Sequence, residues 1–485
     1  MKPSKFMKKQ NVLLVVLSAF SMFAAVFVAC KKESSSSGGT NATITALNCS
    51  NATFSSSATT GTAYTGTATV PYTGGNAVAY SAGSAIASTG VTGLTATLVA
   101  DTLTSGDGSL TYTITGTPAT TGAAAFAITF AGQSCSLSLT VTAATTTDCS
   151  NATTVAEKVV CAANAFLATL TTAQQASVVL TLNLENAKRW SNLPCGLSCR
   201  NGLAFSSLSA AQLTAAKAVI AAASGSTTGE GYDEFITITT ADDYLGTVST
   251  SGGGGPGGGG GYSSGNYVIA FLGTPTTTGK WMLQFGGHHY AQNITYDNGA
   301  VTSITPLHEG VEPHTSFTYA GTTYASPLAT EESVMADMLA SFTSTELASA
   351  KISGTFSDVL MVPGSTTNTF PATKQGIKVS ALSAAAQAKV LAAMAPWIND
   401  LDATSAAAFT AIYTNELADT YVTYASNTNG KSGDATSFFT TNTDYVRIDG
   451  PSVWIEFVCQ TGVVISSQIH YHTVFRDHTR DYIGL

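Results

Sequence analysis

The chain has 485 residues and a formal net charge of −9, from 20 Lys and Arg against 29 Asp and Glu. Charged residues make up only 10% of it, against roughly 25% in an average soluble protein, while hydrophobic residues reach 44% and can fill large cores. An acidic chain with no basic run beyond its first ten residues is a poor nucleic-acid binder, so apolar a chain is not globally disordered, and at this length two or three domains are expected.

Lys2, Lys5, Lys8 and Lys9 precede an apolar stretch from Val12 to Ala29, which ends at Cys30 followed by Lys31-Lys-Glu33 and a Ser/Gly run to Thr40. A positive segment, an apolar segment and a small residue before the cut describe a secretory signal, and the cysteine just after it resembles a bacterial lipoprotein box. The competing reading is a membrane-spanning anchor, which leaves Cys30 and its Ser/Gly tether without a role. The expectation is a signal peptide over residues 1–29, lipidation of Cys30, and a tether over 30–40. The mature protein would then be exported and held in the outer membrane by lipid, its face undecided.

In an exported protein the other cysteines are disulfide candidates. Cys49 and Cys135 bracket the first domain, Cys149–Cys161 and Cys195–Cys199 make local loops, and Cys459 is left over. A zinc site on Cys195 and Cys199 lacks a second cysteine pair.

Residues 41–144 carry short Thr/Val/Ala runs separated by glycine turns, such as Thr67-Ala-Thr-Val-Pro-Tyr72, Leu110-Thr-Tyr-Thr-Ile-Thr115 and Leu137-Ser-Leu-Thr-Val-Thr142. Alternation with turns every 8–12 residues predicts an all-β sandwich. Val70-Pro-Tyr-Thr-Gly-Gly-Asn76, Gly90-Val-Thr-Gly-Leu94 and Gly116-Thr-Pro118 resemble the Ig-like modules of Bacteroidota surface proteins, which implies a spacer.

A Thr-rich linker, 145–151, leads to residues 152–485, where helical patterns appear. Thr171-x-x-Gln174, Ser209-x-x-Gln212 and Thr343-x-x-Glu346 are capping boxes ahead of Ala/Leu-rich runs. Tyr267 to Leu272, Trp281 to Phe285, Tyr445 to Ile448 and Val453 to Val458 read as strands. The fold class is α+β. Blocks recur in order: Leu170 to Ala176 with Phe342 to Ala348, Gly202 to Ala211 with Gly376 to Ala385, Tyr267 with Tyr445, and Trp281 to Phe285 with Trp454 to Phe457. They predict two similar halves, about 165–330 and 331–485, packed about a pseudo-twofold axis. The glycine run at 251–261 is an insertion loop.

All 7 histidines lie in this second domain. On a strand, His470 and His472 share a face; His288 and His289 oppose each other unless Gly286-Gly287 breaks the strand. His288 or His289 with His470 and His472 makes a three-imidazole set with an open position, which suits zinc, copper or iron. Glu309, Glu312, Glu456 and Asp477 are carboxylate candidates for a ligand or a base. Against this stands the plainer reading, in which these histidines hydrogen-bond buried strands and loops. Gly261-Tyr-Ser-Ser-Gly265 matches a nucleophile elbow but lacks the strand and helix that an elbow needs.

Trp281-Met-Leu-Gln-Phe-Gly-Gly-His-His289, Pro306-Leu-His-Glu-Gly-Val-Glu-Pro313, Ile469-His-Tyr-His-Thr-Val-Phe-Arg-Asp477 and Arg189-Trp190…Arg200-Asn-Gly-Leu203 together resemble the uncharacterised domain-of-unknown-function family numbered thirty-five hundred. The resemblance implies that His288, His289, His470, His472, Arg476 and Asp477 are family-motif positions. It does not support His308 or His314 as site residues, because family members commonly show a small or aromatic residue near His308, and it carries no activity.

Two functions compete. One is a hydrolytic or oxidative enzyme with a divalent transition metal, zinc or copper, on His288, His289, His470 and His472; Arg476 would hold an anionic group, and Glu456 or Asp477 would act as base. The other is a non-catalytic surface module that binds a glycan or a protein, with Trp190, Trp281 and Trp454 as stacking platforms.

Overall fold

The computed structural model describes residues 41–142, 149–249, 261–362, 369–482 and 484–485. The expected signal peptide, Cys30 and its tether lie outside these residues, as do most of the linker and of the glycine run.

In the first domain the period-2 pattern does what one-sided burial demands: Leu110, Tyr112 and Ile114 point inward, and the threonines between them do not. Its longer strands are β1 (Tyr64–Asn76), β2 (Leu94–Leu98), β3 (Ser105–Gly116), β4 (Gly122–Phe130) and β5 (Gln133–Thr142). One sheet runs β1-β3-β2, and a second contains β4 and β5. Their inner faces share a core that includes Val70, Leu94, Phe126 and Leu137. Cys49 and Cys135 are disulfide-bonded across this domain.

The second domain mixes helices with one large sheet. The three expected capping boxes are present, at the starts of α2 (Thr172–Val178), α3 (Ala210–Ala223) and α6 (Ser344–Ala350). A fourth, Thr154 with Glu157, opens α1 (Val155–Ala168). The remaining helices used below are α4 (Tyr232–Val248), α5 (Ala329–Ala340), α7 (Ala384–Ala393), α8 (Ala395–Asn399) and α9 (Ala403–Glu416).

The strands are β6 (Leu203–Ala204), β7 (Val268–Leu272), β8 (Lys280–Gly286), β9 (Tyr290–Asp297), β10 (Leu307–Val311), β11 (Ile377–Lys378), β12 (Tyr421–Ala425), β13 (Tyr445–Asp449), β14 (Val453–Thr461) and β15 (Ile469–Asp477). They belong to one 12-stranded sheet ordered β7-β8-β9-β10-β15-β14-β13-β12-β11, with β6 beside β7. The seam at its centre is the antiparallel pair β10–β15, where Leu307 faces Phe475 and Gly310 faces His472.

The two faces of this sheet differ. Ile269, Leu283, Phe285, Ile455 and Phe457 pack under the helices in the main core. The opposite face is covered by loops: Trp190 and Tyr482 pack on Met282 and Ala291, and Val359 and Met361 pack on Trp454, Val458 and Val474. This loop-covered face also carries buried polar side chains, among them Gln284, Asn293, Arg447, Glu456 and Arg476.

Two local arrangements recur. Gly202, at φ +94°, lies against the backbone carbonyl of Ile269, and Gly376, at φ +86°, against that of Val422; neither position has room for a Cβ. Three residues on, the Phe205 N–H donates to Tyr267 O at 2.8 Å, and the Val379 N–H donates to Thr420 O at 2.8 Å.

Candidate metal centre

β8 stops at Gly286, and Gly287 lies against the Tyr267 ring with no room for a side chain. The break frees His288 and His289 from strand alternation. His289 takes φ +66°, a left-handed conformation that is costly outside glycine and is held by its surroundings. Its N–H donates to Asn192 O at 3.1 Å. The buried Arg200 guanidinium donates to Gly287 O at 2.5 Å and to Ser191 O at 2.7 Å. Asn201 adds a hydrogen bond to Gln284 at 2.8 Å. The loop 190–201 thus clamps the His-His turn onto the sheet.

β15 brings His470 and His472 to the same place from the seam, both on the loop-covered face. His289 Nε2 lies 2.7 Å from His470 Nε2. The His472 ring is 5.6 Å from that of His289 and 4.5 Å from that of His470, centre to centre. One nitrogen from each of these three buried residues falls within 4.8 Å of the others, a spacing that a single ion can bridge. Gly310 makes the room: a Cβ there would sit 2.7 Å from His472 Cδ2 and 3.1 Å from His289 Cδ2.

Carboxylates orient two of the rings. His472 Nδ1 lies 2.9 Å from Asp358 Oδ1, and His288 Nδ1 lies 2.7 Å from Asp242 Oδ1. Tyr267 OH donates to Asp242 Oδ2 at 2.8 Å and to the His288 carbonyl. The His288 ring lies tilted against His289 at 3.5 Å, centre to centre, and 4.9 Å from the Tyr262 ring. His308 completes the group, its ring 4.9 Å from that of His472 and beside the His289 backbone.

Burial sets the charge state. It pushes His289, His470 and His308 well below the ordinary imidazole range, and neighbouring imidazoles push in the same direction. Neutral rings are the form that ligates metals. Burial also raises Asp242 against the opposing pull of His288. In Asp358 burial acts upward too, but His472 outweighs it and holds the carboxyl below its ordinary value.

The other expected site residues lie elsewhere. Glu456 shares the loop-covered face, but its carboxylate accepts from Leu360 N, Met361 N, Tyr445 OH and Trp454 Nε1, which uses it as a structural acceptor. Arg476 is paired with Asp481 at 2.6 Å and packs over the Trp190 and Tyr482 rings. Asp477 turns to the opposite face, where Tyr413 OH, Thr479 and Arg480 donate to it. Glu312 accepts backbone N–H groups from Val463 and Val464. Glu309 points to the helix side. His314 packs on Tyr471, and His478 bonds Asp449. Trp190, Trp281 and Trp454 are buried, so none is a stacking platform for a glycan.

Asp242, Asp358 and His308 were not singled out by sequence reasoning as partners of the cluster. A signal for His308 was available: it lies on β10 at an alternate position to Gly310, in a block that also carries acidic residues.

The disulfides Cys49–Cys135, Cys149–Cys161 and Cys195–Cys199 fit the expected pairing, with Cys459 free and buried. They point to an oxidising, extracellular or periplasmic setting. Among the described residues no helix is long and apolar enough to cross a membrane.

No curated protein and no solved structure matches the chain. The family described as protein of unknown function (DUF3500) matches residues 152–484, a span that contains the whole histidine cluster and the loop that clamps it. The chain therefore belongs to the DUF3500 family.

Proposed function

We propose that the second domain is a metal-dependent enzyme of the cell envelope, with one transition-metal ion held by His289, His470 and His472. The observation that carries this reading is the convergence of three buried imidazoles with a carboxylate behind His472. A carboxylate on the far ring nitrogen fixes a ligand's tautomer and raises its basicity. An all-nitrogen set of three suits zinc or copper. Such an ion, when bound, supplies an activated water or a redox centre, so the reaction class is hydrolytic or oxidative. His288 would be a base rather than a ligand, because its ring sits at the rim of the cluster and outside the three-imidazole set, with Asp242 on Nδ1 to orient it. His308 lines the same space as a further nitrogen donor.

We further infer that the domain consists of two similar halves about a pseudo-twofold axis. The sheet order supports this, because β6-β7-β8-β9-β10 on one side answers β11-β12-β13-β14-β15 on the other across the central seam. The recurring contacts of Gly202 with Ile269 and Gly376 with Val422 support it too, and they align β7 with β12. On that alignment Tyr267 answers Thr420 rather than Tyr445, one strand away from the correspondence read from the sequence blocks. The first domain is read as an Ig-like spacer on the strength of its two packed sheets. Lipid attachment at Cys30 and an outer-membrane location remain the proposed address, supported by the signal-like N-terminus and the disulfides.

The test is elemental analysis of the purified chain beside a His470→Ala/His472→Ala variant. About one equivalent of zinc, copper or iron in the wild type and none in the variant is the expected result. A wild type that takes up none of the three after reconstitution overturns the reading.

A further inference from the structure

On the other face of the sheet the structure gathers a second group. Glu234 stands in the first turn of α4, Glu230 just before it, Glu331 in the first turn of α5, Asp400 just after α8, and Glu309 on β10. All five side chains are buried, none more than 5% exposed. One oxygen from each of Glu230, Glu234 and Asp400 lies within 4.8 Å of the others. Among the described residues no Lys, Arg or His forms an ion pair with any of the five.

Glu309 provides an independent observation. It comes from the sheet, not from the helix layer, is 1% exposed, and meets no N–H or hydroxyl donor at either oxygen; the group it contacts is another carboxyl, Asp400. Both oxygens of Glu234 are likewise without a donor. Burying one ionised carboxylate costs several kcal/mol unless something compensates it. The N-termini of α4 and α5 offset part of that cost, each carrying about half a positive charge. Among the donors into the group are the Gly231 N–H, 2.6 Å from Asp400 Oδ1, and the Thr330 hydroxyl, which bonds Glu230. Carboxylates in mutual contact need a proton or a cation between them.

We propose that this chamber is a second cation site, separate from the histidine centre, which takes a hard divalent cation of the calcium or manganese(II) class. Glu230, Glu234 and Asp400 are the ligands, and Glu309 closes the site from the sheet. The donor set is all oxygen, the preference of hard cations and not of zinc or copper. The oxidising compartment indicated by the disulfides is one where weak, extracellular-type calcium sites operate. The two sites are back to back: Glu309 faces the carboxylates, while His308 and Gly310 on either side of it face the imidazoles.

The experiment uses the full chain, stripped with a chelator and titrated by calorimetry with Ca²⁺, Mn²⁺ and Mg²⁺ in turn. Wild type is expected to bind one equivalent of Ca²⁺ or Mn²⁺. A Glu234→Gln/Asp400→Asn variant is isosteric and loses repulsion, so it folds; its affinity is expected to fall by roughly a hundredfold or more. The His470→Ala/His472→Ala variant binds as wild type does, which separates this site from the histidine centre. Terbium luminescence, sensitised through the adjacent Tyr290, reads the same site in the wild type without any substitution. No binding of any of the three ions at millimolar concentration overturns the proposal, as does binding left unchanged in the Glu234/Asp400 variant; the carboxylates would then be held by shared protons.

Discussion

Asp358 and His472 are 114 residues apart in sequence and 2.9 Å apart in space, and the contact falls on Nδ1 of the ring. A loop residue on the covered face of the sheet thereby sets which nitrogen of His472 is offered to the cluster. Asp358→Asn keeps the shape and removes the charge. It is expected to weaken transition-metal binding by about 10- to 100-fold, measured by competition against a chelating dye. An unchanged affinity would mean that His472 is not a ligand.

Gly310 leaves the space into which His472 and His289 extend. Gly310→Ala puts a methyl group 2.7 Å from one ring and 3.1 Å from the other, and overpacking of this kind costs about 1–3 kcal/mol. The expected outcome is a folded protein by circular dichroism whose metal content drops far below one equivalent. Full metal content in that variant would mean that the rings can retreat without cost.

Glu456 carries a prediction of the opposite kind. Its carboxylate satisfies two backbone N–H groups, a tyrosine and a tryptophan. Glu456→Gln turns one acceptor into a donor and strands at least one of these partners, at about 1–3 kcal/mol for each. Denaturant unfolding should show that loss, while the metal content of the native protein stays at the wild-type level. Loss of metal without loss of stability would return Glu456 to the site.

At Asp449 burial acts to raise the carboxyl, but the hydrogen bonds from His478 and Lys374 outweigh it and hold the group below its ordinary value. A carboxyl depressed in the folded state contributes stability above its unfolded pKa and loses it as pH falls through the folded one. The stability gap between wild type and Asp449→Asn should therefore be constant from about pH 5 to 7 and close below about pH 4. Urea titrations across that range check it; a gap that persists into strong acid would mean that charge is not what Asp449 contributes.

The Cys49–Cys135 bond closes a sequence separation of 86 residues. On the chain-entropy account a loop of that length is worth about 4.5 kcal/mol. Cys49→Ser/Cys135→Ser should lower the melting temperature of the first domain while leaving metal binding untouched, read by calorimetry and metal analysis on the same sample.

What the sequence disclosed follows from range. Strand alternation and capping boxes are local chemistry, and Leu110-Thr-Tyr-Thr-Ile and Thr171-x-x-Gln174 form what they spell. His470 and His472 could be assigned to one face from period alone. Asp242 could not be found in this way: it sits inside α4 and meets His288 only because that helix packs beside the turn after β8. Asp358, in a loop with no period, gave no signal at all. Glu309 alternates correctly with its neighbours, but alternation does not say which face is which; strand pairing decides that. On the alignment of halves proposed above, the tryptophan strands β8 and β14 are not equivalents, because that alignment rests on hydrogen-bond neighbours and not on side-chain pattern.

The seam between β10 and β15 is hydrogen-bonded like any other pair in the sheet. A protein whose halves meet at a cleft can open by swinging them apart, but here that motion would tear a ladder in mid-sheet. On the metal-centre reading proposed above, the centre would be rigid in its ligands and adjustable only in its cover. Admission of a substrate would then be a matter for the segment around Asp358 and for the rim at His288 and Tyr262, and variants that stiffen that cover would slow exchange while leaving the site's resting geometry intact.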